Sequence, residues 1–179
     1  MSRLLVFVAV LVALAGCSSA AASGAGSVGQ SRVYAVVDRR PAPAVRGELL
    51  DGGSYDLAAH RGDVVVVNFW ASWCGPCRRE AAELAAISDA TRGDRVAFLG
   101  IDIHDERDKA RAFVTGHPTG YPSLFDPAGR VALGFTDVPP NTIPATLIVD
   151  RQGRVAAVFR TALAREDLTP VVRRLAAEA

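Results

Sequence analysis

Residues 64 to 77 read VVVVNFWASWCGPC. The run Val64 to Trp70 is apolar apart from Asn68, has the length of a strand and shows no alternation, so it reads as a strand buried on both faces. The stretch from Cys77 to Ala90 is rich in Ala, Glu, Arg and Leu and reads as a helix. Cys74 and Cys77 therefore stand where a buried strand hands over to a helix. Unpaired N–H groups and the helix dipole favour an anion at that terminus. A cysteine there has a lowered pKa, and the thiolate is the nucleophile. Pro76 suits the first turn, where its missing N–H costs nothing. Cys77 is expected to be the more buried of the two. The placement fits a pair that cycles, with Cys74 attacking and Cys77 resolving.

Other uses of the pair fit the spacing poorly. Tetrahedral zinc needs two more ligands, usually a second Cys or His pair, and His60, His104 and His117 show no matched spacing. Haem attachment wants Cys-x-x-Cys-His, but Arg78 follows Cys77. A purely structural bridge across so short a loop would restrict the unfolded chain little. Trp70, on the strand, is expected in the core, and Trp73 is expected to be exposed beside Cys74. Asp102, His104, Asp105, Glu106 and Asp108 read as a strand end, an N-cap at Asp105 and an acidic first turn rather than as a metal site.

Around this centre the chain alternates. Gly47 to Leu57, with Asp51-Gly52-Gly53 at its middle, is a hairpin signal. Arg95 to Ile103 is a second buried strand, Glu106 to Thr115 a helix and Tyr121 to Phe125 a short strand. Thr146 to Asp150 and Arg154 to Phe159 are strands joined by a turn, and Arg165 to Ala177 is a closing helix. This order gives one α/β domain, residues 34–179, with a mixed central sheet flanked by helices.

The 179 residues carry a net charge of +1 with the charges scattered, so no basic face offers itself to nucleic acid. The third cysteine, Cys17, follows the apolar run Leu4 to Ala15. As a helix that run would reach roughly 18 Å, short of a bilayer core of about 30 Å. With Arg3 before it and small residues after it, it reads as a signal peptide. Leu14-Ala15-Gly16-Cys17 resembles the lipobox of bacterial lipoproteins. That resemblance implies removal of residues 1–16, lipidation of Cys17 and anchoring on the outer face of the cell membrane, two acyl chains being enough for stable attachment. Residues 17–33, rich in Ser, Ala and Gly, would form a flexible tether of about 20 Å r.m.s. span. The domain would then lie outside the cytoplasm, where disulfides persist.

FWASWCGPC resembles the active-site stretch of the thioredoxin superfamily, and NTIPATLIVD, Asn141 to Asp150, resembles its other signature. The resemblance implies a thioredoxin fold and a cis bond between Ile143 and Pro144, placed beside the cysteines to pair with an extended substrate. HRGDVVVVNFWASWCGPCRRE, the segment Gly100 to Phe135 and VPPNTIPATLIVDRQGRV are similar to the TlpA/ResA-like branch, with the middle segment as its central insertion. Ala82 departs from the branch, where many members have a helix-kinking proline.

The branch implies an extracytoplasmic thiol–disulfide oxidoreductase that needs no cofactor. It would reduce protein disulfides such as the Cys-x-x-Cys-His haem site of apocytochrome c. A CcdA/DsbD-type membrane protein would re-reduce it. Cys74 and Cys77 are the catalytic disulfide, and Trp73, Gly75, Pro76, Ile143, Pro144 and Asn68 support the site and bind substrate. Asn68 stands where thioredoxin has a buried acid and cannot take a proton. Glu80, three residues after Cys77 and on the same helix face, is expected to serve as the acid/base. Gly75-Pro76 is the dipeptide of reducing thioredoxin. Two rivals remain: an oxidase that donates disulfides to exported proteins, and a non-enzymatic binding scaffold for apocytochrome or haem.

Overall fold

The structure, a computed structural model, describes residues 31–178. The expected signal peptide, most of the expected tether and Cys17 lie outside the described residues. The run at Val64–Trp70 forms β5 and is buried at every position. It lies between two partners. The strand β6, Val96–Ile103, pairs with it in parallel, and β8, Ala145–Val149, pairs with it antiparallel. The sheet continues outward through β7, Ser123–Asp126, parallel to β6, and through β9, Arg154–Phe159, antiparallel to β8.

Beyond β9 the structure departs from the sequence reading. Ser31–Val33 was expected to end the tether, yet it forms an edge strand, β1, paired with Ala157–Phe159. Arg40–Pro41, β2, covers the rest of the same edge. Neither strand buries a side chain. Both are held by the backbone hydrogen bonds that an open edge leaves unsatisfied, and hydrophobic patterning carries no trace of that. The folded domain thus begins no later than Ser31.

The two faces of the sheet sort the alternate side chains of β5. Val64 and Val66 face Leu84 and Ile87 of α1, Gly75–Thr91, and Leu168, Val172 and Leu175 of α4, Arg165–Ala176. Val65, Val67 and Phe69 pack on the other side with Val45, Tyr55, Leu57 and Phe135. The expected hairpin, β3 Arg46–Glu48 with β4 Ser54–Asp56, belongs to that second layer. The central insertion takes shape as α2, Arg107–Gly116, then β7, then the short α3, Arg130–Leu133. With Ala82 in place of proline, α1 runs unbroken through 17 residues.

Candidate active site

At the end of β5 the chain turns through Ala71, Ser72 and Trp73 into α1, with Cys74 as its N-cap. The Cys74 Sγ accepts the N–H of Cys77 at 3.2 Å, the contact a thiolate would use at a helix start. Pro76 lies in the first turn. The cysteines form a disulfide, their Cα atoms 5.3 Å apart. The expected contrast in burial is almost absent, since Cys74 is 3% and Cys77 2% exposed. Trp70, Ala71, Ala81, Phe113 and Ile143 close over both.

Trp70 is in the core, stacked on Phe113 with 4.7 Å between centroids. It can lie there because Gly100 on β6, two residues before its register partner Asp102, has no side chain. A Cβ at Gly100 would come within 2.8 Å of the Trp70 Nε1 and collide with Ser123 Oγ. Trp73 is 60% exposed, and its Nε1–H donates to the His104 carbonyl at 3.0 Å. A cleft of about 390 Å³ beside it is lined by Ser72, Trp73, Arg78, Lys109, Phe113 and His117. The Ile143–Pro144 peptide is cis, and Ile143 packs against the cluster that holds the cysteines.

Glu80, one turn beyond Cys77 on α1, is 2% exposed. Its Oε1 accepts from Asn68 Nδ2 at 2.9 Å, and its Oε2 accepts from the Leu163 N–H at 3.1 Å. Asn68 also donates to Thr146 Oγ1 at 3.0 Å, so one amide ties β5 to both α1 and β8. Burial raises the Glu80 pKa to about 7, against the lowering effect of the Asn68 and Leu163 hydrogen bonds. No cation is among these partners, and two neutral donors do not offset the loss of water. The result is a carboxyl that exchanges its proton near neutrality.

Two acidic residues differ from the sequence reading. Asp105 does not cap α2, whose N-cap is Glu106 without a side-chain bond. Its carboxylate turns back and accepts the Ser72 N–H at 2.5 Å and the Ser72 hydroxyl at 3.0 Å. Asp102 is not a simple strand end. It is fully buried, and neither oxygen meets a donor. Among the described residues no group of His, Cys, Asp and Glu is arranged to hold a metal ion.

Residues 39–158 match the AhpC/TSA family. The chain belongs to the AhpC/TSA family of the thioredoxin superfamily. Within it, the chain is 36% identical over 133 residues to the thiol:disulfide interchange protein DsbE homolog of Paracoccus denitrificans, covering 73% of this chain and 70% of that one. It superposes with a DsbF homologue from Corynebacterium diphtheriae at a TM-score of 0.78 and 33% identity, over 85% of this chain and 97% of that one. With a secreted thiol-disulfide isomerase from Corynebacterium glutamicum the TM-score is 0.80 at 32% identity, over 87% and 96%. This AhpC/TSA member is a thiol–disulfide oxidoreductase of the DsbE type with a thioredoxin-like fold.

Proposed function

We propose that this oxidoreductase reduces protein disulfides outside the cytoplasm, the Cys-x-x-Cys-His haem site of apocytochrome c among them, from an anchor at lipidated Cys17. The Cys74 thiolate attacks one sulfur of the substrate disulfide. One substrate thiolate leaves and a mixed disulfide forms. Cys77 gives its proton to the Glu80 carboxylate and attacks Cys74 Sγ, releasing the second substrate thiolate and closing the Cys74–Cys77 disulfide. Two electrons have passed to the substrate. A membrane dithiol protein of the CcdA/DsbD type returns them to the pair. Trp73 and the backbone of Ile143, before the cis Pro144, hold the substrate beside Cys74.

The observation that carries this reading is the sealed Glu80. A resolving thiol next to a carboxyl that titrates at about 7 loses its proton readily at the pH of the cell exterior. The extracytoplasmic setting is supported by the apolar segment Leu4 to Ala15 and by the secreted Corynebacterium glutamicum relative. No helix among the described residues is long and apolar enough to cross a membrane.

Trapping with Cys77→Ser tests the substrate. The variant stops at the mixed disulfide, and apocytochrome c is expected on Cys74. Recovery of many unrelated exported proteins without it would overturn the assignment. The direction is tested by the reduction potential of the pair. A value near that of thioredoxin, about −270 mV, is expected, and one near that of DsbA, about −120 mV, would make the protein a disulfide donor.

A further inference from the structure

Asp102 presents an unusual problem for a folded protein. Its side chain has no exposure, and neither carboxyl oxygen meets a donor. The group it faces is the carboxyl of Asp105. Two carboxylates in contact have only acceptors to offer each other. The contact becomes a hydrogen bond when one of them carries a proton. Asp105 has its lone pairs committed to the Ser72 N–H, the Ser72 hydroxyl and the Glu106 N–H, so the proton belongs on Asp102.

We propose that Asp102 and Asp105 work as one carboxylic acid–carboxylate pair that positions the Ser72–Trp73 turn, and with it Cys74, and that the turn is released when the shared proton leaves. Every polar group of Ser72 is tied. Its N–H and hydroxyl go to Asp105, and its carbonyl accepts from Arg78 Nε and Nη2 at 3.2 and 2.9 Å. Trp73 is tied to the same loop through the His104 carbonyl. His104 itself holds a left-handed backbone, φ 53°, which bends the chain so that Asp105 faces back toward β5. A non-glycine residue keeps that conformation when surrounding contacts demand it. Ser72 and Trp73 directly precede Cys74, so this loop fixes where the attacking sulfur sits, whichever way electrons flow.

The charges around the pair set the direction of the response. Asp102 faces Asp105 from the loop and Asp126 from β7, both acidic, and its register neighbours Trp70 on β5 and Phe125 on β7 are uncharged. Burial first, then these acids, raise the Asp102 pKa to about 8. Asp105 is pushed up by burial, but the hydrogen bonds from Ser72, Glu106 and Asp102 outweigh that and hold it below the usual carboxylate range. Lys109 of α2 faces Asp105 and is ion-paired with Glu106. The pair thus holds one proton from acid pH up to about 8. Above that, two adjacent anions repel, Asp105 as the more exposed member moves outward, and Ser72 loses its acceptor. The proton is shared, so the midpoint belongs to the pair.

The test uses the oxidised protein, in which Cys74 and Cys77 carry no thiol to titrate. Carboxyl ¹³C resonances and the Ser72 amide are followed from pH 5 to 10. The Asp102 carboxyl is expected to titrate near 8 together with the Ser72 amide. In Asp102→Asn the new amide donates to Asp105 at every pH, so the Ser72 transition disappears. Asp105→Asn gives the same loss of the transition by donating to an ionised Asp102. In the reduced protein, the exchange rate per Cys74 thiolate is expected to fall about three- to tenfold from pH 7 to 9, the worth of one hydrogen bond, and to stay level in Asp102→Asn. An Asp102 carboxyl that titrates in the ordinary carboxylate range overturns the proposal. So does a Ser72 transition near pH 8 that survives in either variant. The wild-type titration alone decides if both variants misfold.

Discussion

Glu80 and Asp150 are equally buried carboxyls at opposite ends of the central sheet, and their surroundings differ in kind. Asp150 meets cations. Arg39 Nη1 lies 3.2 Å and Arg154 Nη2 2.8 Å from its Oδ2, and the N–H groups of Gln152 and Arg154 cover its Oδ1. Burial pushes its pKa up, but the hydrogen bonds from Arg154 and Arg39 outweigh that and hold it below the usual range. Glu80 meets an amide and one backbone N–H, and titrates at about 7. The lesson is that burial alone does not make a carboxyl reactive. The charge of the donors decides whether it serves as an anchor or as a proton store.

The largest effect is expected at the anchor. Asp150→Ala removes the buried partner of Arg39 and Arg154, Arg39 keeping its pair with Glu178, and should lower the unfolding free energy by about 3 kcal/mol, the low end for a broken buried pair, measured by denaturant melts at pH 7. A folded-state pKa below the unfolded one supplies stability above the unfolded value and loses it as pH falls through the folded value. The gap between wild type and Asp150→Ala should therefore close in acid. Exchange activity per folded molecule should not change. A loss of activity beyond the loss of folded protein would erase the distinction between the two ends.

At the proton store the signs reverse. Glu80→Gln should slow the resolving attack of Cys77 by about 100-fold, the lower end of what a general base contributes, measured as release of product from a preformed mixed disulfide. The wild-type rate should rise through a midpoint near 7, and the variant should lack that midpoint. The same change should stabilise the fold. Glu80 has a folded pKa of about 7 against 4.5 for a free glutamate, so its ionisation opposes folding increasingly from pH 4.5 upward, levelling off above 7. By linkage this is worth about 3 kcal/mol at most. The Gln Nε2 facing the Leu163 N–H takes part of that back, so a gain of about 1–2 kcal/mol at pH 8 is expected. A variant less stable than wild type, with its rate per folded molecule unchanged, would place Glu80 with Asp150, as a structural group.

How far these two regions could be read in the sequence follows the same division. The strands β5, β6, β8 and β9 announce themselves because burial on both faces requires unbroken apolar runs. Asn68 and Glu80 were reached by resemblance and helix spacing, and the structure joins them directly. The other partner of Glu80, the Leu163 N–H, comes from a loop 83 residues away and leaves no mark in the local pattern. Asp102 is in the same position. Its neighbour Asp105 sits where an N-cap would, and only the left-handed turn at His104 sends that carboxylate to Ser72 instead. The edge strands β1 and β2 expose their side chains and pair through backbone alone, which no hydrophobic period records.

The smallest effect on the fold is expected at Trp73, and it sharpens the comparison from the solvent side. This indole buries little and makes one hydrogen bond, to the His104 carbonyl, which water can replace on its removal. Trp73→Ala should shift stability by no more than about 0.5 kcal/mol, as for surface changes generally. It leaves the Ser72 bonds to Asp105 and Arg78, which still hold the turn before Cys74, as well as Glu80 and the Asn68 link, so reduction of a small disulfide such as oxidised glutathione should be nearly unchanged. A protein disulfide must lie across the cleft beside Trp73 to reach a cysteine that is itself nearly sealed. Its KM should rise severalfold, on the scale of about 1 kcal/mol for one exposed aromatic contact, while kcat holds. Equal losses with small and protein disulfides would move Trp73 from substrate contact to support of Cys74.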